Sequence, residues 1–138
     1  MSDLAAHRSR WIKNREFCRT LASEDADWMV TAIFYASVHA IGTLFVADRV
    51  KPPDTHSARF RVLRATNRYR QIYRHYKPIY DASIDSRYGC RPSVWMPADL
   101  VDADLLRGEF FPLEKSVCKL LVGEAPKLEP LMLQKPIN

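Results

Sequence analysis

The stretch "WMVTAIFYASVHAIGTLFVA", Trp28 to Ala47, decides the fold class. Its twenty residues hold one ionisable side chain, His39, and as a helix they extend about 30 Å at 1.5 Å rise per residue. That reach is enough to cross a bilayer. Ala32, Ala36, Ala40, Thr43 and Ala47 line one side with small groups, which suits close helix crossing in a membrane and in a soluble core alike. The rest of the chain decides between the two, because it has no second membrane-like segment and its other helical stretches are charged and amphipathic. In that company an all-round apolar helix is predicted to be the enclosed centre of a bundle, with no membrane partner.

Upstream, Leu4 to Leu21 reads as a first helix, with Leu4, Trp11 and Cys18, and His7, Asn14 and Leu21 beside them, at helical spacing. "LASEDADW" then breaks and restarts the chain: Ser23 is a predicted N-cap, and Glu24, Asp25 and Asp27 bring negative charge to a positive helix end. Downstream, "DRVKPPD" (48–54) ends the apolar helix, since a Pro-Pro pair cannot continue one.

A new helix is expected from Thr55 or Ser57 that runs unbroken through "TNRYRQIYRHYKPIY" (66–80). Val62, Ala65, Tyr69, Ile72, Tyr73, Tyr76 and Ile79 or Tyr80 make its apolar side, in steps of three and four. Arg61, Arg64, Arg68, Gln71 and His75 make the other, flanked by Asn67, Arg70 and Arg74. Pro78 is expected to kink this helix, "YDASIDSRYGC" (80–90) to add a short helical turn closing at Gly89, and "RPSVWMPAD" (91–99) to form a loop. Ala98 to Leu106 reads as a short helix, and Pro112 to Val122 as a last one with Leu113, Val117, Leu120 and Leu121 inward. The prediction is therefore an all-α, up-and-down bundle of four to five helices, one domain over 1–122. Residues 123–138, with three prolines and no periodicity, are expected to be a loose tail in which Leu128, Leu131, Met132 and Leu133 offer a partner an apolar contact.

Charge is unevenly placed. Thr55 to Tyr80 carries six arginines and Lys77 with no acid, so the remainder of the +5 chain is net acidic by two. A local field of that sign attracts phosphates or an acidic partner. Arg59, Arg61, Arg64, Arg68 and Arg74 are the candidate RNA-binding residues, since guanidinium groups neutralise phosphates and grip them with two donors. His75 lies among these cations, which favour the neutral imidazole that a general base needs, and Arg70 is the candidate stabiliser of a phosphorane. His56 is the reserve for the histidine role; His39 reads as a hydrogen-bonded core residue and His7 as structural.

Cys18, Cys90 and Cys118 have no metal-type spacing and read as free thiols of a reducing cytoplasm. The charged first twenty residues leave no room for a signal peptide. No metal-ligand spacing, glycine-rich phosphate loop or nucleophile elbow is present, so neither metal nor cofactor is expected.

The pattern "NREF … DWMVTAIFYASVHAIGTLF … HSARFRVL … YRQIYRHYKPIYDASIDSRY", Asn14 to Tyr88, resembles domains of the HEPN superfamily. Its most suggestive part is "DW…AIFYASVH" followed by "H…R" and a tyrosine-rich helix ending in "SRY". The resemblance implies a dimeric helical bundle of a toxin–antitoxin or defence system and, in active members, a metal-independent endoribonuclease. The active signature is an arginine, four to six residues, then a histidine. "RQIYRH" matches it from Arg70 to His75 with Gln71 as the polar second residue, and the Arg68–His75 and Arg49–His56 ("RVKPPDTH") pairs match its spacing. The alternative implied by the same family is a non-catalytic interaction or dimerisation module that pairs with a nucleotidyltransferase-like protein or an antitoxin.

Overall fold

The computed structural model describes residues 3–88 and 97–133. The expectations for Gly89, Cys90, most of the "RPSVWMPAD" loop and residues 134–138 lie outside them. The described residues form a helical bundle without strands: α1 (Asp3–Thr20), α2 (Ala26–Ala47), α3 (His56–Ala65), α4 (Arg70–Tyr88), and a last helical run made of α5 (Ala98–Leu100), a π-helical segment (Val101–Phe110) and α6 (Phe111–Leu120).

α2 is the hub. It packs along α1 and also meets α4, the π-helical segment and α6. The segment from Ser23 to Ala47 is long and apolar enough to cross a membrane, and most of it is buried by the other helices. Met29, Ile33, Phe34, Ile41, Leu44 and Phe45 are enclosed from several sides and form the centre of one core with Trp11, Leu63, Ile72, Tyr76, Ile79, Phe110 and Val117. Ser37 and Thr43 sit inside the helix without penalty because their hydroxyls donate to the carbonyls of Ile33 and His39 one turn back, both at 2.8 Å.

The start of α2 differs from expectation, while its end at Ala47 falls where the sequence puts it. Ser23 does not cap α2. It opens a single 3₁₀ turn, Ser23–Asp25, closed by the Asp25 N–H to the Ala22 carbonyl at 2.9 Å, and the helix proper starts at Ala26. At its other end α2 stops before the prolines. Arg49 adopts a left-handed φ of 61°, and Arg49 and Val50 donate to the carbonyls of Val46 and Phe45 at 3.0 and 2.7 Å, the paired bonds of a Schellman turn.

The difference that matters most for function lies beyond the prolines. The helix expected to run unbroken from Thr55 through Tyr80 is two helices, α3 capped by the Thr55 hydroxyl (3.1 Å from the Ala58 N–H) and α4, hinged at an extended Thr66 (φ −134°, ψ 151°). Tertiary contacts set this break: Asp48, at the end of α2, accepts both Arg68 guanidinium donors at 2.9 Å and the Tyr69 hydroxyl at 2.5 Å. The reset moves Leu63, not Ala65, onto the buried side of α3.

Beyond the hinge α4 continues through Pro78 to Tyr88. Ala98 to Leu120, expected as two helices, is continuous through the π-helical stretch, where the Phe111 N–H reaches back to the Leu106 carbonyl. Pro112 has no N–H to offer the carbonyl of Gly108, and the wider turn lies immediately upstream of that gap. The stretch 124–133 has no regular secondary structure and lies against the bundle. Leu131 is buried, Leu128 and Leu133 pack on the core, and Arg8 and Arg15 donate to the carbonyls of Glu124 and Glu129 at 3.1 and 2.6 Å.

Candidate functional site

Two histidine neighbourhoods face each other as candidates, and the structure separates them. Arg70 and His75, five positions apart on α4, do not converge. The Arg70 guanidinium donates to the Asn67 side-chain oxygen at 3.0 Å, while His75 Nδ1 bonds Glu109 of the π-helical segment at 2.8 Å. His75 is thus held by an acid from another helix, where the run of residues around it holds only cations.

The arginine stripe is divided in the same way. Arg68 is tied to Asp48, and Arg64 lies over the Tyr73 ring at 5.9 Å. Arg61 and Arg74 are exposed and make no hydrogen bond or ion pair among the described residues. Arg59 is not on the outer face at all: it turns inward, donating to His56 Nδ1 at 3.0 Å and to the Tyr76 hydroxyl at 3.4 Å.

His56 therefore has the built surroundings. It is the first residue of α3, one position after the capping Thr55, and Arg59 follows it by one helical turn. The His56 ring packs at 5.5 Å from Phe34 of α2 and 5.3 Å from Tyr80 of α4. Arg87, near the end of α4, lies over Phe34 at 4.6 Å and near Tyr35 at 5.9 Å. Burial holds the His56 imidazole below its ordinary range, and the charges of Arg59 and Arg87 add to the effect. Since a guanidinium only donates, the Nδ1 it contacts carries the lone pair, which places the proton of the neutral ring on Nε2.

A pair of histidines lies within reach of the Arg59 charge. His7 Nδ1 of α1 lies 3.1 Å from His39 Nδ1 of α2, above Gly42, whose missing side chain makes room: a Cβ there would stand 2.6 Å from His7 Nδ1. Burial pushes His39 down to about 4, with His7, Arg10 and Arg59 adding to it, and also lowers His7, which Asp3 opposes and Arg10 and Arg59 reinforce. Both rings are half-buried, so His39 is a hydrogen-bonded helix-packing residue as expected.

Sequence reasoning missed Arg87, Tyr76 and Tyr80 as neighbours of His56, and the acids Asp48 and Glu109. The helical spacing of Tyr76, Tyr80 and Arg87, in steps of four and seven, was a readable signal that they share one side of α4. Among the described residues no three His, Cys, Asp or Glu side chains form a group able to hold a metal. Cys18 and Cys118 are free thiols, pushed up by burial to about 12 and about 11. Comparison with protein-family models, with curated proteins and with solved structures finds no match.

Proposed function

We propose that the chain is a HEPN-like RNA-binding protein that cleaves RNA without a metal, with His56 in place of His75 as the proton-abstracting group. One observation carries this reading: the Arg59 guanidinium donates to His56 Nδ1 at 3.0 Å, with Arg87 on the same ring cluster. A ribose 2′-hydroxyl would make the same kind of bond to Nδ1 that Arg59 now makes. A bound phosphodiester draws the Arg59 and Arg87 guanidinium groups to its oxygens and leaves Nδ1 to the hydroxyl. His56 then takes the hydroxyl proton as the 2′-oxygen bonds to phosphorus. The bond to the 5′-oxygen breaks, and that oxygen takes a proton from water, leaving a 2′,3′-cyclic phosphate and a 5′-hydroxyl. The lowered basicity of His56 keeps it in the neutral form this step requires, and the two arginines supply positive charge where the phosphorane gains negative charge.

The likeness to HEPN domains extends the proposal to a cytoplasmic homodimer of the toxin–antitoxin or defence type, with an antitoxin or nucleotidyltransferase-like protein as partner. A non-catalytic interaction module is the second reading, favoured by the exposed side chains of Phe17 and Trp28.

Cleavage of mixed structured and unstructured RNA in the presence of chelator tests the choice. General-base removal costs about 10²–10⁴ in rate, so His56→Ala loses cleavage by that order while His75→Ala, at matched oligomeric state, keeps it. Equal activity of His56→Ala and wild type, or products without a 2′,3′-cyclic phosphate or its hydrolysed form, refutes the assignment; an inert wild type favours the interaction module.

A further inference from the structure

Tyr76 is a tyrosine where phenylalanine would pack as well. Its ring is fully buried, 20° from parallel to Phe34 of α2 with centroids 6.2 Å apart, and 5.3 Å from Phe60 of α3. Those contacts are made by ring carbons and need no hydroxyl. A hydroxyl taken out of water costs free energy unless it is bonded, and the partner this one has among the described residues is Arg59, whose Nη1 donates to it at 3.4 Å. Tyr69 is the contrast, since its hydroxyl donates to Asp48 and helps to set the hinge between α3 and α4.

The nitrogens of Arg59 are unequally engaged. Nη1 carries two hydrogens, enough for both of its acceptors, His56 Nδ1 at 3.0 Å and the Tyr76 oxygen. Nε and Nη2 bond nothing among the described residues, and no acid there forms an ion pair with this side chain. One nitrogen is anchored, and the side-on fork made by the other two is open.

We propose that Tyr76 is a positioning residue of the His56 site: its hydroxyl fixes Arg59 from the buried side, so that the guanidinium gives up His56 for a phosphate oxygen without leaving the site. The inference rests on the RNA-cleaving reading above and adds to it the point about which Arg59 turns. While Nη1 stays on Tyr76, Nε and Nη2 are the donors that grip the phosphate as a pair, and His56 Nδ1 is released to the 2′-hydroxyl. A carboxylate in place of the phenol would bind Arg59 more strongly and compete with the phosphate for its charge. The phenol does not compete in this way, because it is neutral. Burial raises it above its ordinary range, so it keeps its proton and acts only as an acceptor.

The test compares wild type, Tyr76→Phe, Arg59→Gln and the double variant, each checked for its fold by circular dichroism, with two readouts. The first needs no RNA and is an NMR titration of the His56 ring. The groups that face this ring are Arg59 on α3, Arg87 and Tyr80 on α4 and the apolar Phe34 on α2. Tyr76→Phe and Arg59→Gln are each expected to move the His56 midpoint upward, and the double variant to move it no further than Arg59→Gln alone. The second is RNA cleavage in chelator. Tyr76→Phe lowers kcat about tenfold, the loss of one hydrogen bond to a charged group, leaves KM near wild type, and adds nothing in the Arg59→Gln background. A His56 midpoint that Tyr76→Phe leaves in place overturns the inference, whether or not RNA is cleaved. So does an equal loss of kcat from Tyr76→Phe with and without Arg59, which is the behaviour of a residue that only supports the core. An upward midpoint in a protein that cleaves no RNA upholds the anchoring of Arg59 and strikes the RNA reading alone.

Discussion

Replacing Glu114 with glutamine should cost several kcal/mol of stability, about 3–5 for breaking one partner of a buried pair. Glu114 and Arg15 are 3% and 6% exposed, and their pairing is bidentate, with Arg15 Nε and Nη2 donating to the two carboxylate oxygens at 2.6 and 3.0 Å. Trp11 Nε1 donates to the same carboxylate at 2.7 Å. One acid of α6 therefore satisfies three donors from two residues of α1, and Arg15 Nη1 holds the Glu129 carbonyl. Burial pushes the Glu114 carboxyl upward against the opposing pull of Arg15 and Trp11.

Glutamine preserves the volume but turns one acceptor into a donor facing Arg15 and leaves a buried cation without its counter-charge. Breaking one partner of a buried pair costs about 3–5 kcal/mol, against a total of about 5–15 kcal/mol for a domain of this kind. Removing both charges, as Arg15→Met with Glu114→Leu, leaves the Trp11 N–H unpaired, at about 1–3 kcal/mol, and frees the carbonyl of the exposed Glu129. The double variant should therefore be more stable than Glu114→Gln. Urea denaturation followed by circular dichroism reads both. A Glu114→Gln loss below about 1 kcal/mol, or a double variant less stable than the single one, would refute the claim that α1 and α6 are locked through this pair.

Three further outcomes are expected. His39 sits at about 4 in the folded chain against an ordinary 6.5, so the unfolded chain binds protons first and stability declines as pH falls from about 6.5 toward 4; His39→Gln should flatten that part of the wild-type profile of urea midpoint against pH, and an unchanged slope counts against it. Gly42→Ala places a methyl group 2.6 Å from His7 Nδ1, so the ring moves off His39; about 1 kcal/mol of helix propensity gained offsets about 1 kcal/mol of hydrogen bond lost, leaving stability near wild type while the His39 titration followed by NMR moves up. Asp48→Asn releases Arg68 and weakens the Tyr69 bond, costing about 1–2 kcal/mol and steepening the salt dependence of RNA binding by about one phosphate contact; an unaltered slope would mean Arg68 stays off the strand.

The bundle was legible because its signals are local. A largely apolar stretch of twenty residues between charged amphipathic ones reads as the central helix of a bundle, and the steps of three and four through Tyr69, Ile72, Tyr76 and Ile79 point to one buried side. The hinge at Thr66 was not legible, since nothing in "RATNRY" forbids a helix. It exists because Asp48, some twenty residues earlier, holds Arg68 and Tyr69 in place, and a contact of that separation leaves no trace in local periodicity. Arg15 was hidden for the same reason: as a charge on α1 it reads as solvent-facing until Glu114 is brought to it by the fold.

The sequence reading of the site balanced charge within a single segment. Thr55 to Tyr80 holds no acid, so its arginines seemed to form one uncompensated face with His75 at its centre. Other helices supply the missing acids, Asp48 to Arg68 and Glu109 to His75, so Arg68 is neutralised and His75 is held away from its neighbours on that face. What these acids leave uncompensated is Arg61, Arg64, Arg70 and Arg74 outside, and Arg59 inside against His56. Surface guanidinium groups such as Arg61 and Arg74 can only add affinity for a phosphate chain, whereas Arg59, already bonded to a neutral imidazole, can change partner when a phosphate arrives. A cation whose present partner is a base, and not an acid, loses no ion pair by turning to substrate, and for that reason the proposed chemistry is assigned to His56.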